Sequence, residues 1–176
     1  MLNTPFSIKR INDTFQLKHF DCEDADLNEF LQSDSIHYQK KLLAVTYLVL
    51  SDELKIIGFF SLANDSLKDN DFEKWNSLNR KVTNRKRRKD YPAVKLVRLG
   101  VDKGQKGKGL GKEIVFFIKN WFVSENKTGC RFLLVDAYNK PETLNFYLKN
   151  EFSFLTIKDE NKKTRLMYFD LIRLIP

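Results

Sequence analysis

Seven residues hold the densest chemistry in the chain: Lys106-Gly107-Lys108-Gly109-Leu110-Gly111-Lys112. A pyrophosphate needs several donors converging on one point. Backbone N–H groups at a helix N-terminus supply them, and the helix dipole favours the negative charge. Glycines at 107, 109 and 111 let the backbone approach a ligand and permit positive φ, while Lys106, Lys108 and Lys112 add positive charge. Two other phosphate motifs fit less well. A dinucleotide fingerprint has different glycine spacing, and its acidic ribose partner lies nearer than Asp136 does. A P-loop needs a hydroxyl after Gly-Lys, where this chain has Gly111-Lys112-Glu113. A glycine-rich turn entering an ordinary core helix is the bland alternative.

The elements around this turn decide whether it can act. Val94 to Val101 reads as a central strand before it. After it, Leu110, Ile114, Phe117, Ile118, Trp121 and Phe122 follow the helical period, which predicts a helix over Gly109 to Glu125. Phe132 to Val135 is a buried strand, parallel to its predecessor if the helix is a crossover. Pro141 suits the first turn of a helix reaching about Asn150. Phe152 to Ile157 and Arg165 to Leu174 read as two further strands, joined by a charged turn. Upstream, Phe6 to Leu17 reads as an edge strand. Asp24 or an acidic neighbour caps a helix carrying Leu27, Phe30 and Leu31, and a second helix covers Ser35 to Leu42. Val45 to Leu50 and Lys55 to Ala63 form a hairpin, in which Gly58 marks a bulge or a close backbone approach. The order predicts a mixed α/β sheet with one crossover unit at its centre.

The chain has 176 residues, 42% of them hydrophobic, which suits one domain (1–176) with a sizeable core. No apolar run is long enough for a transmembrane helix, and Met1 to Arg10 lacks the features of a secretory signal. A cytoplasmic location without membrane association is therefore expected. Cys22 and Cys130 are far apart and read as reduced thiols. His19 and His37 read as surface or packing residues, and no metal site is expected by spacing. The net charge is +8. It favours polyanionic partners or simply aids solubility. Its concentration in a basic insertion at about 65–92 favours the first reading. That insertion holds Phe72, Trp75 and Leu78 at helical spacing, then the run Arg80 to Lys89, read as an exposed loop or frayed helix end.

Downstream, Asp136 to Phe152 links a strand, a helix and another strand. With this stretch, the chain resembles the GNAT superfamily of N-acetyltransferases. Their loop signature, Gln/Arg-x-x-Gly-x-Gly/Ala, corresponds to Lys106 through Gly111, with Lys106 in place of Gln or Arg. Their later signature, Phe-Tyr then Gly-Phe, matches Phe146-Tyr147 through Glu151-Phe152. Glu151 stands where glycine is usual, so Asn150 is expected to take the left-handed cap. Phe20-Asp21-Cys22, Leu27, Phe30-Leu31, Thr46-Tyr47 and Ile57 to Leu62 resemble the toxin-like branch found in toxin–antitoxin pairs. The likeness covers nearly the whole chain.

The resemblance implies a mostly antiparallel sheet whose central parallel strand pair splays to hold acetyl-CoA, flanked by helices. It implies that backbone groups of Leu99, Gly100 and Val101 and the turn from Lys106 to Lys112 bind acetyl-CoA. Asn139 matches a cofactor-contacting position and equally suits a cap before Pro141. Tyr147 alone reads as a core aromatic. In the Phe-Tyr motif it becomes the acid that protonates the departing thiolate. Spacing singles out no general base. The toxin-like branch acetylates the α-amino group of aminoacyl-tRNA, with a ribbon-helix-helix antitoxin as partner and homodimers among its members. Arg85, Lys86, Arg87, Arg88, Lys89 and Arg98, with Lys103 and Lys106, could contact RNA phosphates. The basic run is otherwise a solvated loop. Two alternatives stay open: acetylation of a small amine or a peptide amino group, and an RNA-binding module with a vestigial cofactor pocket.

Overall fold

The computed structural model describes residues 6–68, 75, 80, 89–124 and 128–175. Strands β1 (Phe6–Arg10), β2 (Val45–Ser51), β3 (Ile56–Lys68), β4 (Asp90–Val101), β5 (Phe132–Tyr138), β6 (Ser153–Phe154) and β7 (Thr164–Asp170) form one sheet. Its order is β1-β2-β3-β4-β5-β7-β6, mostly antiparallel, with β4 and β5 the parallel pair. The expected mixed α/β architecture is therefore present. The chain divides into two compact units, residues 1–63 with 96–118 and residues 64–95 with 119–176.

In the first unit, Asp24 caps helix α1 (Ala25–Glu29): its Oδ1 accepts the Leu27 amide at 3.1 Å. A wider π turn over Phe30–Asp34 joins α1 to α2 (Ser35–Lys40). That turn lets two consecutive residues, Phe30 and Leu31, both reach the core. Helix α2 ends two residues before the expected Leu42, which has φ +60°. The edge strand β1 ends at Arg10, because Asn12 turns the chain by accepting the Thr14 amide at 3.0 Å. In the hairpin, Val49 faces Gly58 and Leu50 faces Ile56, so Ile57 is a bulged extra residue. Gly58 also marks a close approach, since a Cβ there would lie 3.2 Å from both the Gly100 oxygen and Ile114 Cδ1. Helix α3 begins here and spans Leu110–Trp121, with Ile114, Val115 and Ile118 fully buried. It stops short of the predicted Glu125 as turns begin. Ile11, Phe20, Phe30, Leu31, Leu48 and Phe59 lead this unit's core.

In the second unit, β3 continues to Lys68 and β4 starts at Asp90, so both strands run into the stretch expected as an insertion. Leu67, Tyr91 and Ala93 explain this, because they are buried with Phe132, Leu134 and Leu155 in a second core. Trp75 packs on Tyr91 at 5.2 Å between ring centroids. Phe72, Leu78 and most of the basic run lie outside the described residues. Helix α4 spans Pro141–Lys149, with Pro141 in its first turn as expected. The strand predicted over Phe152 to Ile157 shrinks to Ser153–Phe154, and the last strand ends at Asp170. Asp170 then caps a short 3₁₀ turn through the Ile172 amide, which breaks the ladder.

Candidate active site

The first unit presents the glycine turn. The Asp102 amide donates to the Ile57 carbonyl at 3.0 Å, tying the end of β4 to β3. Asp102 Oδ1 then accepts the Gly104 amide at 2.9 Å, which closes a tight turn over Lys103–Gln105. Gly107 and Gly109 have φ of +73° and +86°, so their glycine identity answers a backbone requirement. A Cβ on Gly107 would meet nothing within 4 Å, so the surface there is open. The first helical bond of α3 runs from the Glu113 amide to the Gly109 carbonyl at 3.2 Å. Helix geometry therefore leaves the amides of Leu110, Gly111 and Lys112 without intrahelical acceptors. This is the donor set a diphosphate requires, and the buried Leu110 side chain anchors it.

The lysines are placed differently from one another. Lys106 Nζ pairs with Glu23 Oε2 at 2.9 Å. Lys108 Nζ folds back onto the Gly104 carbonyl at 2.6 Å, and its amide bonds to the Gln105 carbonyl at 3.3 Å. Lys112 is exposed. Lys103 pairs with Asp21 Oδ2 at 3.0 Å. The Glu23 amide, then Asn28 and Lys103, hold the Asp21 carboxyl down to about 2. Arg98 lies over the Phe30 ring, 5.1 Å from its centroid, and 3.8 Å from Asp26. An acidic segment thus faces the basic residues of the turn, a partnership that spacing alone does not reveal.

Strand β4 approaches this turn with an irregular backbone. The Pro92 carbonyl accepts the Arg131 amide next to β5, whereas the Asp102 amide faces β3. These positions are an even number of residues apart, so regular alternation would send both the same way. One residue of irregularity between them is implied. Within this stretch the Val97 carbonyl accepts the Arg98 guanidinium at 3.1 Å. By alternation from Asp102, Gly100 faces β3, while Leu99 and Val101 direct their backbone groups to the opposite edge. Gly100 is glycine for room: a Cβ would lie 2.4 Å from Phe59 Cε1.

In the second unit, Tyr147 is 6% exposed on α4. Its ring meets Phe146 and Phe152 edge-on, at 5.0 and 5.3 Å. Burial pushes its hydroxyl well above the ordinary phenol range, so it stays protonated at neutral pH. Helix α4 ends at Asn150, but Asn150 has φ −93° and Glu151 takes the left-handed cap at φ +63°. The expectation for Asn150 is thereby corrected. Its side chain instead donates Nδ2 to the Phe146 carbonyl at 2.8 Å, which requires a helical-side backbone. Asn139 does not cap α4 either, since Lys140 holds the N-cap position. Asn139 Nδ2 instead clasps the turn before β7 through the carbonyls of Glu160 and Lys162, at 2.7 and 2.9 Å.

Lys89 is exposed, and Arg85, Lys86, Arg87 and Arg88 lie outside the described residues. Cys22 and Cys130 are free thiols, as expected. No group of metal-binding side chains occurs among the described residues. Nor is any described helix long and apolar enough to cross a membrane.

The fold is similar to that of AtaT complexed with acetyl-methionyl-tRNAfMet, at 22% identity over 97% of each chain and a TM-score of 0.80. It is similar to a Tyr-to-Phe mutant of KacT, at 21% identity over 97% of this chain and 99% of that one, with a TM-score of 0.79. AtaTR bound with AcCoA also resembles it, at 22% identity over 96% and 95% and a TM-score of 0.72. The model of the acetyltransferase (GNAT) family matches residues 10–152. Most of the sequence, including the glycine turn and Tyr147, falls in that match, and the chain belongs to the acetyltransferase (GNAT) family, enzymes that take an acetyl group from acetyl-CoA.

Proposed function

We propose that this enzyme acetylates the α-amino group of aminoacyl-tRNA in the cytoplasm, as a translation-blocking toxin held in check by an antitoxin. The observation that carries this reading is the likeness, over 97% of both chains, to AtaT complexed with acetyl-methionyl-tRNAfMet. AtaT has also been seen as a mutant toxin bound to the C-terminus of the antitoxin AtaR. A net charge of +8 suits an RNA acceptor. A small cationic amine would instead need available carboxylates. Near the turn these are engaged: Asp21, Glu23 and Asp26 face Lys103, Lys106 and Arg98, and Asp24 caps α1.

Acetyl-CoA supplies an activated thioester. The amides of Gly107 and of Leu110 to Lys112 would hold its pyrophosphate, and the backbone groups of Leu99 and Val101 would align its pantetheine arm. The neutral amine nitrogen attacks the thioester carbonyl carbon, its proton leaves to water, and the C–S bond breaks. The Tyr147 hydroxyl gives its proton to the departing sulfur and then regains one from water, which balances the proton the amine released. It suits this task because Tyr147 is buried and its hydroxyl stays protonated.

The test is labelled acetyl-CoA incubated with charged tRNA. Label is expected on the amino acid's α-nitrogen, with Tyr147→Phe slower by about 10²–10⁴-fold. Label appearing on a free polyamine and never on charged tRNA would reject the acceptor. Full turnover by Tyr147→Phe would reject the acid.

A further inference from the structure

Helix α3 carries a lysine where its buried stripe should continue. Lys119 follows Val115 by four residues and is 5% exposed. Its Nζ donates to the Asn150 carbonyl at 2.5 Å. The same ammonium lies 3.5 Å from the Phe169 ring centroid and 5.2 Å from that of Phe152. Burying an ammonium is costly unless it is bonded. A methionine would fill this space without that cost, so the charge calls for a reason beyond packing.

The Asn150 carbonyl belongs to the turn that ends the Tyr147 helix. The Asn150 and Phe152 amides both donate to the Tyr147 carbonyl at 3.0 Å, and the Glu151 amide donates to Leu148 at 2.9 Å. Glu151 is held at φ +63°, a conformation that costs a non-glycine residue energy and must be fixed from outside. The turn sends Phe152 back against the Tyr147 ring, at 70° and 5.3 Å. Phe152 in turn leans on Phe169 at 6.0 Å. Lys119 thus grips the Asn150 carbonyl of the turn and lies against both rings behind it, while Arg173 reaches the neighbouring Glu151 carbonyl at 3.4 Å. A cation at a helix C-terminus is also favoured by the dipole.

We propose that Lys119 is a positioning residue: by fastening Asn150 it sets the ring orientation from which Tyr147 delivers its proton. The proposal rests on Tyr147 being the acid. Burial pulls the Lys119 ammonium down to about 8, so the grip weakens as pH rises through that value. Glu151 opposes that fall and Arg173 adds to it.

A double-mutant cycle tests this, with acetyl transfer measured for wild type, Lys119→Met, Tyr147→Phe and the double variant at saturating tRNA. Lys119→Met is expected to lower kcat about 10-fold or more, with KM for acetyl-CoA within about 2-fold. In the Tyr147→Phe background, the same change should alter kcat by less than about 2-fold. Lys119→Gln, which keeps a donor for the Asn150 carbonyl, should recover most of the rate and guards against a misfolded Met variant. Equal losses in both backgrounds would overturn the proposal while leaving Tyr147 as the acid. A fully active Tyr147→Phe would remove the acid and the proposal together.

Discussion

Gly100→Ala places a methyl group where the Phe59 ring already lies. The new Cβ would sit 2.4, 3.0 and 3.3 Å from three ring carbons, against an ordinary contact of 3.4–4 Å. The ring must therefore retreat by about 1 Å. It has nowhere to go, since Phe59 is 0% exposed and is flanked by Phe20 at 5.4 Å and Phe30 at 6.3 Å. Overpacking of this kind costs about 1–3 kcal/mol. With a urea slope of about 1–3 kcal/mol per molar, the unfolding midpoint should fall by about 1 M. Urea unfolding followed by tryptophan fluorescence reads this directly. Adding Phe59→Leu should restore part of the loss, because the smaller side chain makes room. An unchanged midpoint for Gly100→Ala, or a double variant less stable than both single ones, would refute the argument.

Glu151→Gly should raise stability by up to about 1 kcal/mol, because glycine adopts positive φ without penalty and the exposed Arg173 pair it loses is worth little. A thermal melt checks it, and a lower Tm would contradict the assigned cap. Asp21 has a folded pKa lowered from 3.8 to about 2, so its contribution is present above 3.8 and fades as pH falls through about 2. The stability gap between wild type and Asp21→Asn should accordingly be constant near neutrality and close in acid, as measured by unfolding at stepped pH. A gap that widens in acid would be the wrong sign.

Much of the fold was legible because its signals are local. The apolar stripe from Leu110 to Ile118 announced α3, Asp24 announced a cap, and Gly58 proved to be both beside a bulge and at a close approach. The turn was legible as well, since Gly107 and Gly109 do adopt positive φ. What escaped depends on partners distant in sequence. Strand β4 begins at Asp90 because Tyr91 and Ala93 are buried against Phe132 and Leu134, about 40 residues away. Lys103 and Lys106 look available to phosphates until Asp21 and Glu23 are brought beside them. Asn139 holds a turn that starts 21 residues later, which no local pattern encodes. Lys119 left a faint trace, a charge four residues after Val115 on an otherwise apolar stripe.

Backbone amides at the start of α3 are expected to receive the diphosphate of coenzyme A. Coenzyme A titrated into isotopically labelled protein, with each amide followed by NMR, tests that directly. The largest shifts should fall on Gly107 and on Leu110, Gly111 and Lys112, and Gly109→Val should weaken binding about 10-fold or more, because valine resists a φ of +86°. Saturable binding that leaves those amides unmoved would contradict the account.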